Sequence, residues 1–286
     1  MNCKSIILLI VVLLFWGNAE ARKKKGKKVE EVQTESAYRK FFKGKACETA
    51  KGMITLHKMD GRVYFEIPLA LMGREMLMGS TISEITNNGF GSVGEKPKGL
   101  LYISFVRCDS VISLKQLTAQ YDTNEENLKQ RIKESTIPAT IKNFKITTYN
   151  EDSTAVVIDM TDYLVSADEA IDPFSPWAPI LAGGERVMEK EFRRENSQVV
   201  SIKAFEDNVS VKSSLTYGLS LKNKVMYIFQ REPFTAVMTR SFILLPEHPM
   251  RPRLADPRIA IFSQGVSVFN GDSRGAQARY YAQRWN

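Results

Sequence analysis

The sequence predicts an α+β fold that is β-rich, with mainly antiparallel strands and hairpins and two or three short helices. Three observations carry this. Apolar and polar residues alternate over short runs bounded by turn residues, as in "RVYFEIP" (Arg62–Pro68). Tight breaks such as Asp60-Gly61 separate paired runs, the strongest short-range hairpin signal. The links between runs are too short for the crossover helices that parallel strands need. At 286 residues, 43% hydrophobic and 25% charged, the chain can bury a sizeable core.

Ile6–Trp16 is an apolar run preceded by Lys4 and followed by Ala19-Glu20-Ala21. That order predicts a signal peptide over 1–21, cut after Ala21, and hence an exported protein: periplasmic, cell-surface or secreted. The run is shorter than the roughly 20 residues of a spanning helix, so no stable membrane span is expected; the competing reading is a buried core helix. Residues 22–36 form a basic flexible lead. Its "RKKKGKK" holds six of the eight net positive charges, and Lys4 and Glu20 cancel, leaving about two for the body. The basic balance therefore belongs to the tail, and nucleic acid is not an expected partner.

"AYRKFFKGKACETA" reads as a short helix. "GMITLHKMDGRVYFEIP" is a hairpin about Asp60-Gly61, with Tyr64 and Glu66 on one face and Val63, Phe65 and Ile67 on the other. Pro68 ends its second arm. Residues 37–86 are thus a small N-terminal β-hairpin domain, and 87–286 a larger β-rich domain. In the latter, Asn87–Gly99 is a glycine-rich loop, and a second hairpin turns near Cys108-Asp109. Asn124–Ser135 is a helix capped by Asn124. A third hairpin turns at Asn150–Asp152, and Ser166–Arg186, with three prolines, is a long loop. Further strands are expected near 199–205, 209–217, 224–230 and 235–245.

No catalytic or metal-binding constellation emerges. "GFGSVG" (Gly89–Gly94) matches a dinucleotide fingerprint by letter, but Pro97 and Gly99 forbid the helix that would meet a pyrophosphate. His57 and His248 are the only histidines, in a hairpin arm and before a proline, and no H-E-x-x-H stretch exists. Asp159 with Asp162, and Asp168 with Glu169, have spacings ordinary in turns. After cleavage two cysteines remain, Cys47 and Cys108; one disulfide and two separate buried thiols are both open.

"PMRPRLADPRIAIF" (Pro249–Phe262) crowds prolines and arginines together. The prolines bias it to extended backbone, and Asp256 lies between Arg253 and Arg258. It reads as a strap near a join, with Arg251, Arg253, Asp256 and Arg258 as its docking residues. Presentation of its cations to an acidic group is the other reading.

The phrases "GMITLHKMDGRVYFEIP", "LMGREMLMGSTIS", "YNEDSTAVVIDMTDYL", "SLTY" and "LLPEHPMRPRLADPRIAIF" occur in the same order as in the N-terminal region of a family of bacterial zinc-dependent metalloproteases, which the chain resembles from Tyr38 to its last residue. In that family two domains of unknown function precede a zinc peptidase domain of metzincin type. The resemblance implies an accessory portion that packs against a peptidase domain, missing here or separately encoded. It carries no zinc ligand and no catalytic residue onto this chain, so zinc is expected only in full-length relatives, and no activity of this chain alone. The closing "RYYAQRWN" resembles the stretch that leads toward the peptidase domain, so the stop reads as a truncation. The alternative expectation is a free-standing envelope module that binds a peptide or glycan.

Overall fold

The computed structural model describes residues 35–118, 121–175, 187–223, 225–259, 261–270 and 275–283. The expected signal peptide, nearly all of the basic lead, the second half of the 166–186 loop and the last three residues lie outside the described residues. From Ser36 onward the chain forms one compact unit. It is mostly antiparallel sheet, 51% strand, with three short helices, as the alternation predicts. In chain order the elements are α1 (Ala37–Phe42), β1 (Glu48–Ala50), β2 (Thr55–Met59), β3 (Arg62–Pro68), β4 (Met76–Ile85), β5 (Leu101–Cys108), β6 (Val111–Gln116), β7 (Tyr121–Asp122), α2 (Glu126–Ser135), β8 (Ala139–Tyr149), β9 (Ala155–Asp159), α3 (Thr161–Leu164), β10 (Val187–Phe192), β11 (Gln198–Ala204), β12 (Asn208–Lys222), β13 (Tyr227–Leu244), β14 (Ser263–Phe269) and β15 (Ala276–Ala282).

Twelve strands make one sheet in the order β1-β2-β3-β9-β8-β6-β5-β4-β13-β12-β10, with β11 also paired to β12. Strands from before and after residue 86 therefore alternate in one sheet. The sheet curls into a nearly closed barrel. Its seam lies where β11 meets the first strands: Lys58 Nζ donates to the Val200 carbonyl (2.6 Å), and Met53 N to the Phe205 carbonyl (2.7 Å).

Strand periodicity decides what fills the barrel. Val63, Phe65 and Ile67 point inward from β3, as do Met76, Met78 and Ile82 from β4 and Val209, Val211 and Leu215 from β12; all are buried. Phe242 packs edge-on against Phe65, with ring centroids 5.4 Å apart. The turn residues the sequence marks are where the hairpins close. Asp60 and Gly61 both take positive φ, as the two-residue turn demands.

Three expectations need correction. The runs at 224–230 and 235–245 belong to one 18-residue strand, β13. Pro233 is tolerated because β4 pairs with β13 only from Ala236 on, so the proline sits where β13 has a partner on one side alone. Just before it Arg231 bulges at positive φ, and its N–H is taken by Ser220 Oγ (3.0 Å). The second helix is not capped by Asn124: Glu125 occupies the N-cap, and its N–H goes back to Thr123 Oγ1. The turn of the third hairpin runs on to Thr154, with Ser153 at positive φ. The first helix covers only Ala37–Phe42 of the stretch read as helical, and strands β1, β7, β10, β14 and β15 were not expected. β14 and β15 pair antiparallel, and β7 adds the one parallel pairing among the described strands.

Candidate functional site

The strap leaves the end of β13 and runs beside β15. Arg74 anchors its start, bonding the Glu247 carboxylate (2.5 Å) and the Leu245 carbonyl (3.2 Å). Ala255 N donates to the Tyr280 carbonyl (2.8 Å), Ala282 N to the Arg253 carbonyl (2.9 Å) and Gln283 N to the Phe262 carbonyl (2.8 Å). Leu254 makes an isolated antiparallel bridge to Tyr281. Of the four docking residues from the sequence, Asp256 and Arg258 are brought together as a bidentate pair (2.6 and 2.9 Å). That pair holds Asp256 below the usual carboxylate range, chiefly through the Arg258 side-chain hydrogen bond. Both groups face solvent, so the pair shapes the backbone locally and adds little stability. Arg253 contributes its carbonyl rather than a second fork on Asp256. With its backbone tied down, the strap still exposes Leu254, Ile259, Ile261 and Phe262, the last 85% exposed, beside Tyr280.

Two clusters escaped the sequence reading. The first lies under α1. Tyr38, Phe41 and Phe42 cover the outer face of β2–β3, where His57 Nε2 bonds Glu66 Oε2 (2.9 Å) and Tyr38 OH donates to the same oxygen (2.7 Å). Thr49 Oγ1 lies 3.0 Å and Cys47 Sγ 3.8 Å from His57 Nδ1. Cys47 and Cys108 are both free thiols, so the disulfide is not formed. Neither is buried, against the expectation of two buried thiols: Cys47 is half-buried and Cys108 exposed.

The second cluster is inside the barrel. From the end of α3 the chain turns inward, burying Leu164, Val165, Ile171, Asp172 and Phe174. Arg240, fully buried on β13, donates to the Leu164 carbonyl (2.8 Å) and the Ile171 carbonyl (3.0 Å). Burial pushes its guanidinium down to about 10, against the opposing pull of Tyr217, Tyr163 and the nearby carboxylates. Asp172, 2% exposed, is ion-paired to Lys190 (2.6 Å) and Lys98 (3.2 Å). This inward segment is a plug stapled by charge-assisted bonds.

Comparison with known families decides the relationship. A model described as "Domain of unknown function (DUF5117)" matches residues 95–286, more than half of the chain. The chain belongs to the DUF5117 family. A second model, "Domain of unknown function (DUF5118)", matches residues 35–85. No curated protein and no solved structure matches. Neither family description names an activity. The DUF5117 match holds the strap, Arg240 and Asp172, whereas Cys47, His57 and Glu66 all fall in the DUF5118 match. Among the described residues, no group of three His, Cys, Asp or Glu side chains is placed to hold a metal ion.

The Glu66 cluster makes stability in this DUF5118 segment depend on pH. The hydrogen bond from His57, then that from Tyr38, outweighs burial and lowers the Glu66 carboxyl below its ordinary value. As pH falls the unfolded chain therefore takes up this proton first. The stabilisation is complete above the ordinary carboxylate range, about 4.3, and is lost as pH drops through the lower folded value. The expected result is a shallower acid limb of unfolding free energy against pH in Glu66→Gln. An acid limb identical to wild type would show that the carboxylate contributes nothing.

Proposed function

We propose that this DUF5117-family chain is the exported accessory portion of a zinc metalloprotease-like protein. It acts by packing against a peptidase domain, encoded with it or separately, and does no chemistry on the peptide bond itself. The observation that supports this is the strap: its backbone is fixed by hydrogen bonds along β15, yet Leu254, Ile259, Ile261 and Phe262 stay exposed. Exposed apolar side chains close in sequence on a hydrogen-bonded segment mark a surface that another domain can cover. The resemblance of the strap phrase to the metalloprotease family supplies the identity of that domain. No helix among the described residues is long and apolar enough to cross a membrane.

The test uses the purified chain and a zinc peptidase domain of the resembling type. The chain should bind a hydrophobic dye and show no chelator-sensitive proteolysis of casein. It should also bind the peptidase domain, and the double variant Ile261→Asp, Phe262→Asp should weaken that binding at least about tenfold. Both positions are exposed, so the variant should unfold within about 0.5 kcal/mol of wild type. Proteolysis by the chain that a chelator stops, or peptidase binding indifferent to the double variant, would overturn the reading.

A second reading, a free-standing module for a peptide or glycan, draws support from an open cleft of about 800 Å³. Tyr38, Tyr149, Asn150 and Glu151 line it, the aromatic and amide mixture such ligands use.

A further inference from the structure

The α1-covered cluster in the N-terminal segment is ordered like a nucleophile with its base and the base's orienting acid. Hairpin register assembles it. Thr49 pairs with His57 across β1–β2, and His57 pairs with Tyr64 across β2–β3, so Glu66 is the diagonal neighbour of His57 on the same face. Cys47 precedes Thr49 by two residues and so lies on that face as well. The imidazole is buried, with only 6% of its side chain exposed, and the Phe42 ring lies against it at 4.7 Å.

The network assigns the proton on the ring. Glu66 Oε2 accepts from Tyr38 OH, and the carboxyl is held ionised below its ordinary range, so it has no proton to give His57. Nε2 is therefore the donor, and the neutral form of the ring carries its lone pair on Nδ1. Nδ1 faces Cys47 Sγ at 3.8 Å and Thr49 Oγ1 at 3.0 Å. Glu66 fixes the ring's tautomer and would stabilise the imidazolium formed when Nδ1 takes a proton, the logic of a nucleophile triad. Beside Cys47, between its segment and the Asp60-Gly61 turn, lies an open cleft of about 490 Å³ whose walls include Lys58 and Met59. A small reagent can therefore reach the sulfur while the base stays dry.

We infer that Cys47, His57 and Glu66 form a reactive-thiol site whose substrates are small disulfides. Cys47 gives its proton to His57 Nδ1, and the thiolate attacks one sulfur of the disulfide. A new S–S bond forms, the old one breaks, and the departing thiolate takes the proton back from the imidazolium. The products are a mixed disulfide on Cys47 and one free small thiol, so no further oxidant is needed. The Glu66 carboxylate and Tyr38 act on the base, not on the disulfide, and are positioning residues. The site shares no residue with the strap, and it stands or falls independently of the proposed docking.

The test is the rate at which each cysteine forms a mixed disulfide with oxidised glutathione, read peptide by peptide by mass spectrometry on the full chain. Cys108 is the internal control: it is the more exposed thiol, with Ser113 Oγ at 3.6 Å as its neighbour. Cys47 should react at least about tenfold faster than Cys108, and His57→Gln or Glu66→Gln should remove that advantage, in line with the 10²–10⁴-fold range of general-base catalysis. A merely structural role would leave Cys47 no faster than Cys108. If His57→Gln loosens the fold, its thermal midpoint will fall, and Thr49→Val then decides. It removes the hydroxyl that lies 3.0 Å from Nδ1 and 3.5 Å from Cys47 Sγ, so the thiol meets the base directly and Cys47 should react several-fold faster. A Cys47 rate at or below that of Cys108 in the wild type, or a Thr49→Val rate unchanged or lower, overturns the assignment.

Discussion

Replacing Arg240 with alanine is expected to cost about 3–5 kcal/mol of folding free energy. The guanidinium is fully buried inside the barrel and donates to two carbonyls of the plug, those of Leu164 and Ile171. Alanine leaves both carbonyls dry, at roughly 1–3 kcal/mol each, and adds a cavity. Part of this is offset, because the buried charge itself is costly: burial is the largest influence on Arg240 and lowers its guanidinium to about 10. The offset cannot cancel the loss, since backbone carbonyls cannot be replaced by apolar groups as a side-chain partner could. Arg240→Met separates the two effects. It refills most of the volume and removes the charge, but leaves the carbonyls bare, so it should cost about 1–3 kcal/mol. Urea unfolding reads both values, and amide exchange should rise within 161–172 in each variant. A methionine variant as stable as wild type would show that the plug is not held by these bonds.

How much of this could be read beforehand differs by element. The Asp60-Gly61 hairpin was fully legible, because a two-residue turn sets register and register sets faces. The same register already implied that His57 and Glu66 meet, since Tyr64 and Glu66 share a face and His57 lies opposite Tyr64. Only Cys47 needed the added pairing of β1, a three-residue strand too short to announce itself. Arg240 was legible in hindsight: Ala236, Met238 and Phe242 point inward at a period of two, which puts Arg240 on the inner face with them. What no pattern revealed was its partner, because the plug meets β13 across about 70 residues of chain. Asp172 escaped for the same reason, since its Lys98 and Lys190 come from either side of it in sequence. The strap shows the converse. Its prolines foretold extended backbone, while β15, along which it runs, and β14, which pairs with β15, carry glycine, serine and arginine in place of a clean apolar alternation.

Gly52→Ala should be the most damaging one-carbon addition in the chain's seam, at about 2–4 kcal/mol. Gly52 does not need a left-handed backbone; it needs room. A Cβ there would lie 2.3 Å from the Phe205 carbonyl oxygen, 2.6 Å from its nitrogen and 2.9 Å from the Ala204 carbonyl carbon. All three are backbone atoms, so no rotamer change can relieve the contact. Phe205 is itself tied into the β11–β12 turn by the bond from its N–H to the Asn208 carbonyl (2.8 Å), so the first strands must move instead. That movement breaks the bond from Met53 N to the Phe205 carbonyl and draws Lys58 away from Val200, the contacts that bring the two ends of the sheet together. Gly99→Ala is the matched control. No atom lies within 4 Å of its Cβ position, so a change within about 1 kcal/mol is expected, on the stabilising side if the backbone suits alanine. Thermal and urea unfolding of the two variants side by side give the comparison. A Gly52→Ala loss no larger than that of Gly99→Ala would mean that β11 and the first strands are not in contact in solution, and that the barrel is open at its seam.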